Sequence, residues 1–158
     1  MDIYDSLLSA VHDEYDQIRL IKKSERGEVI LVRHLASENR YIFRHFSGSS
    51  EVYQKLLSIS CPNLPQIMEV GEKEGKTVLL EEYVQGDTLS EILEGGLLTT
   101  AESKQIARQL CSALWVFHSM GVVHRDVKPD NVIIRGKEAV LIDFDASRIY
   151  KSTIQEDT

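Results

Sequence analysis

The run His124-Arg125-Asp126-Val127-Lys128-Pro129-Asp130-Asn131, followed after ten residues by Ile142-Asp143-Phe144-Asp145, decides how this chain reads. It is a turn dense in charge, set between an apolar helical stretch and two short apolar runs around Arg135-Gly136-Lys137-Glu138. Those runs, 131–134 and 139–142, read as the strands of a hairpin. Folding the hairpin back brings its two outer ends, Asn131 and Asp143, together. Two hard oxygen ligands side by side suit magnesium, which keeps several waters and shares its remaining positions with phosphate. Asp126 and Lys128 lie two residues apart in extended backbone and can face one substrate. A carboxylate to orient a hydroxyl and an ammonium to meet developing phosphate charge are the equipment of phosphoryl transfer.

Working back from the turn, Ile106, Leu110, Ala113, Leu114 and Phe117 form one apolar stripe of a long helix. Thr99 and Glu102 have the spacing of a capping box at its start, and Gly121 is placed to end it. Thr88 and Glu91 repeat the box for a shorter helix. Earlier still, 18–21, 28–33 and 41–46 are rich in Ile, Val, Leu and aromatics and are separated by polar turns. Three consecutive antiparallel strands are the economical arrangement. The stretch SGSSEVYQKLLSIS (47–60) puts Val52, Leu56 and Ile59 at helical spacing, and Cys61-Pro62 stops it because proline cannot continue the helical ladder. Two more strands follow at 66–70 and 77–81, and a short amphipathic helix over 2–12 leads the chain with Ile3, Leu7, Ala10 and Val11 on one face. Trp115 reads as a packing residue of the long helix, and His12, His34, His45 and His118 have no metal-ligand spacing. A β-rich half followed by a helical half is an α+β architecture, with the ligand cleft expected between the two.

Composition narrows the partners. Of 158 residues, 42% are hydrophobic and 27% charged, which is the mix of a soluble globular domain. Twenty-five acidic residues against 18 basic ones leave a net charge of −7, the wrong sign for replacing phosphate counterions, so nucleic acid is excluded as a partner. Cys61 and Cys111 lie far apart, form no zinc or disulfide framework, and suit a reducing cytoplasm. The acidic start MDIYDSLLSAVHDEYD is no signal peptide, and no apolar run has the roughly 18 residues that suggest a membrane span.

With these residues in place, the chain resembles the protein-kinase superfamily. Its 124–131 segment differs from the family's H-R-D-L-x-x-x-N catalytic loop only at Val127, and Lys128 is the serine/threonine-type choice. The resemblance implies Asp126 and Lys128 as catalytic residues and Asn131 with Asp143 as magnesium ligands, with ATP as the phosphoryl donor. It implies a hinge at Leu80-Glu81-Glu82-Tyr83-Val84, where backbone groups of Glu82 and Val84 meet adenine and Glu81 controls pocket depth. Gly27 and Val29 fall at the end of the glycine-rich loop, whose first two glycines are Lys22 and Ser24 here. Lys22, Lys23 and Arg26 then supply charge where backbone amides grip less well. Arg44 stands for the lysine that bridges the phosphates and a helix glutamate, which Glu51 supplies if the register shifts by one from Val52. Ile42 crowds the adenine roof, and Asp145 replaces the glycine of D-F-G.

The family organisation implies a helical extension over 1–15, an N-lobe and hinge over 16–84, and part of a C-lobe over 85–158. The chain then reads as a fragment of a longer kinase, ending at the start of the activation segment with Ser152, Thr153 and Thr158 as phosphate acceptors. Its long apolar helix is expected to be covered by self-association. Transfer of the ATP γ-phosphate to a protein hydroxyl is the leading expectation. A nucleotide-binding pseudokinase and a small-molecule phosphotransferase, the latter suggested by Asp145, are the alternatives.

Overall fold

The structure, a computed structural model, describes residues 1–150. The chain divides into two compact units. The first joins Met1–Ser60 to Pro65–Tyr83, and the second joins Cys61–Leu64 to the chain from Val84 onward.

The first unit is built on five antiparallel strands: β1 (Tyr15–Lys23), β2 (Gly27–His34), β3 (Arg40–Ser47), β4 (Ile67–Lys73) and β5 (Lys76–Glu82), in the order β1-β2-β3-β5-β4. The expected strands are all present, and β1 extends well beyond 18–21. Its register slips between Gln17 and Arg19 and again between Leu20 and Lys22, and Ile18, Leu20 and Ile21 stay exposed. Because side chains alternate across a strand, β3 sorts its residues onto two faces. On one face Phe43 lies opposite Ile30 and Leu80 and joins Val32 and Val78 in a buried cluster. Helix α1 (Ile3–Glu14) covers that cluster with Leu7 and Val11. The Asp2 carboxylate caps α1 by accepting from the Asp5 N–H at 2.8 Å, and Lys73 of β4 reaches Asp5 at 2.5 Å and Asp2 at 3.4 Å. Helix and strand meet so closely at Gly71 that a Cβ there would lie 2.6 Å from the Tyr4 backbone nitrogen.

The opposite face carries Val29 and Leu31 of β2, Ile42 and Arg44 of β3, and Leu79 and Glu81 of β5. Helix α2 (Glu51–Leu56) approaches here, with the Tyr53 ring 5.8 Å from Phe46. It is shorter than the 47–60 stretch suggests. Only Tyr53 and Leu56 anchor it, and past Leu56 the N–H groups of Leu57 and Ile59 turn to carbonyls three residues back.

The second unit contains β6 (Asp87–Thr88), α3 (Leu89–Glu94), α4 (Thr100–Ser119), β7 (Val122–Val123), β8 (Val132–Arg135), β9 (Glu138–Leu141) and β10 (Arg148–Ile149). Strands β6, β8 and β9 form one small sheet, and β10 pairs with β7. Thr88 caps α3, and at α4 both bonds of the Thr99–Glu102 capping box form. The two-residue strands β6, β7 and β10 carry no periodicity and were not expected. Gln109 of α4 clamps the hairpin turn, donating to the Lys137 carbonyl at 3.0 Å and accepting from the Ala139 N–H at 2.7 Å. Asn63 fastens the Cys61–Leu64 segment to β9 through the Ala139 carbonyl and the Leu141 N–H. Of the expected α4 stripe, Ala113 and Phe117 are buried and Ile106, Leu110 and Leu114 half-buried. Trp115 corrects the packing expectation: it is 72% exposed, because it lies one position off that stripe.

The core of this unit centres on His124, 1% exposed, with its ring 5.7 Å from Phe117 and 5.8 Å from Phe144. Nδ1 accepts from the Asp126 N–H at 3.1 Å, so the ring proton sits on Nε2, 3.1 Å from the Ile142 carbonyl. Burial holds the imidazole below its ordinary value of 6.5, outweighing the carbonyl of Ile142 and the carboxylates of Asp143 and Asp126, which favour the charged ring.

Two outcomes follow from this packing. Gly71→Ala forces α1 off the sheet and destabilises the first unit by about 1–3 kcal/mol, read as a shift in denaturant midpoint; an unchanged midpoint contradicts the contact. For His124, the unfolded chain takes up a proton below pH 6.5 that the folded chain refuses, so its contribution to stability is full above that pH and is lost as pH falls through the folded value. An NMR titration of the His124 ring should give a value below 6.5, and one at or above it contradicts the neutral, buried ring.

Candidate active site

The loop after β7 acquires its shape from its own backbone. Arg125 has φ 72° and Asp143 φ 62°, left-handed conformations that side chains other than glycine rarely adopt. Pro129–Asn131 forms a single 3-10 turn, with proline's fixed φ at its first position. Strand β8 begins there, and the Ile142 N–H donates to the Asn131 carbonyl at 2.9 Å, which brings the two ends of the hairpin side by side.

Asn131 is buried, and its Nδ2 donates to both the carbonyl and the Oδ2 of Asp126 at 2.9 Å. Both partners are acceptors, which fixes the amide orientation and leaves Oδ1 as the face turned to other ligands. Asp126 is thus tied at three points: its N–H to His124, its carbonyl to Asn131, and one carboxylate oxygen to Asn131. Lys128, more exposed, holds its ammonium 3.7 Å from the other oxygen. Asp143 accepts from the Asp145 N–H at 3.2 Å. Among the described residues no three His, Cys, Asp or Glu side chains gather as a resident metal site. An amide oxygen and one carboxylate fit a magnesium ion that arrives already bound to phosphate. Asp145 is not left-handed, so its backbone does not require glycine; the positive φ in this segment belongs to Asp143. Ser147 fixes the segment from behind, its Oγ donating to the His124 carbonyl at 3.3 Å. Ser152, Thr153 and Thr158 lie outside the described residues.

In the first unit the 22–27 turn is closed on itself. Ser24 and Gly27 exchange backbone bonds at 2.9 and 3.2 Å, so both amides are engaged within the turn. A Cβ on Gly27 would lie 2.0 Å from the His45 carbonyl oxygen, so strand packing alone demands glycine there. Arg26 folds back over the Phe46 ring and donates to the Ser47 carbonyl at 2.9 Å, and Lys23 sits 3.7 Å from Glu28. Val29 is the direct cross-strand neighbour of Arg44.

Arg44 corrects the expected pairing. Its Nε donates to Glu81, not to Glu51, and the two side chains are 11% and 5% exposed. The register explains this: Arg44 lies opposite Leu79, so Glu81, two residues on, is its diagonal neighbour on the same face. Glu51, itself exposed, begins α2 with its N–H on the Ser49 Oγ. The Glu81 contact was overlooked because strand register between 41–46 and 77–81 is not written in either segment. Glu82 exchanges bonds with Gln66, its N–H to the Gln66 carbonyl at 2.8 Å and its Oε2 from the Gln66 N–H at 3.0 Å. Val84 is buried.

The family model described as the protein kinase domain matches residues 14–158. The serine/threonine-protein kinase DCLK3 of Mus musculus is 39% identical over 138 residues, covering 81% of this chain and 18% of that protein. The serine/threonine-protein kinase PknH of Mycobacterium tuberculosis is 30% identical over 156 residues, covering 90% and 25%. Sperm motility kinase 2B of Mus musculus is 30% identical over 143 residues, covering 84% and 29%. The chain spans less than a third of the length of these relatives. The strand-rich first unit, the 124–131 loop held by its asparagine, and matches of this extent place the chain in the protein kinase family.

Proposed function

We propose that this chain is the catalytic region of a serine/threonine protein kinase, transferring the γ-phosphate of ATP to a protein hydroxyl. The observation that carries the reading is Asp126, immobilised by Asn131 and His124, with the Lys128 ammonium at its free side. In this reading Asp126 orients the acceptor hydroxyl and takes its proton as the O–P bond forms. Lys128 meets the charge on the transferring phosphoryl group. Asn131 and Asp143 hold magnesium, which neutralises phosphate charge when bound. Gly27, Val29 and Arg44 serve the nucleotide from the first unit, and backbone groups of Glu82 and Val84 take adenine. Helix α1 is read as an extension (1–15) preceding an N-lobe and hinge (16–84) and a C-lobe portion (85–158).

The closed turn at Ser24–Gly27 favours one second reading, a pseudokinase that holds nucleotide weakly and works through partner proteins. For either reading we place the chain in the cytoplasm, with Cys61 and Cys111 as free thiols and no nucleic-acid partner. Among the described residues no helix is long and apolar enough to cross a membrane. Self-association is proposed to run through the apolar stripe of α4, where Ile106, Leu110 and Leu114 are half-buried.

Asp126→Asn should lower phosphate transfer to protein substrate by roughly 10²- to 10⁴-fold while sparing ATP affinity; unchanged turnover removes Asp126 from the chemistry. Mg-ATP at about 100 times its dissociation constant should stabilise the wild-type chain by about 2.7 kcal/mol in a thermal-shift titration, and Asp143→Ala should abolish that shift. A wild-type shift that persists in Asp143→Ala contradicts the metal assignment.

A further inference from the structure

The Arg44–Glu81 pair lies within one sheet and is nearly sealed from solvent, which makes it unlike the surface pairs of this unit. Lys23–Glu28 and Arg33–Asp16 each have at least one well-exposed partner, and pairs of that kind contribute little. A buried pair is costly to assemble and damaging to break, because removing one partner leaves an uncompensated charge. Its contact is made through Nε, the donor nearest the backbone. An Arg gripped at Nε has its planar fork oriented as a whole, so Glu81 sets the direction in which the terminal nitrogens project. Beside the pair lie Val29, which faces Arg44 from β2, and Ile42, which faces Glu81 from β3. Both are apolar, and Ile42 is buried, so they limit water around the pair. Glu51 is exposed.

We propose that Glu81 is the positioning residue for phosphate recognition, aiming the Arg44 guanidinium at the phosphates of the nucleotide. Glu81 reaches Arg44 from within the β3–β5 ladder, whereas Glu51 of α2 is exposed. This inference rests on the nucleotide-binding reading above. Glu81 makes no contact with adenine or with the reacting atoms in this scheme; it acts through Arg44.

The test separates a phosphate effect from a general loss of the pocket. The full chain, wild type and Glu81→Gln, is titrated calorimetrically with Mg-ATP and, separately, with adenosine. Glutamine keeps the shape but loses the charge. The expected result is a loss of about tenfold in Mg-ATP affinity, the scale of one charge-assisted hydrogen bond, with adenosine affinity within about twofold of wild type. Equal losses for both ligands assign Glu81 a merely structural role and overturn the proposal, as does unchanged Mg-ATP affinity. A comparable selective loss in Glu51→Gln overturns it too, by returning the role to α2. If Glu81→Gln melts too low to titrate, Arg44→Met combined with Glu81→Leu replaces the pair by apolar side chains. That variant is expected to fold and to bind adenosine while losing the wild-type preference for Mg-ATP; retention of that preference overturns the proposal. Wild-type protein that binds neither ligand refutes the nucleotide reading itself, and the proposal with it. The adenosine arm therefore distinguishes the two failures.

Discussion

A neutral imidazole holds the second unit together. His124 receives the Asp126 N–H on one ring nitrogen and gives its proton to the Ile142 carbonyl from the other, while its own carbonyl accepts from Ser147. One side chain thereby joins the 124–131 loop, the end of the hairpin and the segment that follows Phe144. Protonation would turn the Nδ1 acceptor into a donor facing an N–H, so the arrangement exists only while the ring is uncharged. Phe117 and Phe144 enforce that state by excluding water. Asp126 is fixed in turn, because Asn131 can grip both its carbonyl and its carboxylate only when the loop backbone is already in place. The left-handed conformations at Arg125 and Asp143, each costing on the order of 1–3 kcal/mol, are tolerated for the same reason.

The first unit is organised differently, by alternation. A single strand, β3, sends Phe43 to a hydrophobic cluster roofed by α1 and sends Ile42 and Arg44 to the other face. Burial of Leu7 and Val11 keeps the register from slipping, since a shift by one residue would exchange the two faces. The position of Arg44 beside Glu81 is thus secured by apolar packing on the far side of the sheet.

Much of this was legible in the residues. The cap at Thr88 and the capping box at Thr99 marked helix starts because the bonds they make are local, and the hairpin around Gly136 followed from two short apolar runs. The family was legible in the 124–131 and 142–145 segments because their residue types are ones that phosphoryl transfer calls for. What escaped depended on contacts distant in sequence. Glu81 could not be matched with Arg44 without the β3–β5 register, and the short strands β7 and β10 exist only because each meets the other. Helix α2 was overread because helical spacing continued to Ile59 although only Tyr53 and Leu56 find a surface. Trp115 was misplaced because an apolar residue one position from a helix stripe points away from it.

The two slips in the register of β1 have a consequence for the protein in a crowded solution. This strand is one of the two edges of the five-stranded sheet, and it exposes Ile18, Leu20 and Ile21 in a stretch of four residues. A flat strand of that composition is a template on which another chain can build an intermolecular sheet. Each bulge bends the strand and breaks the even run of hydrogen-bonding groups that such a template requires. With Arg19 interrupting the apolar residues and Lys22 and Lys23 closing them off, the edge is kept from polymerising without being covered.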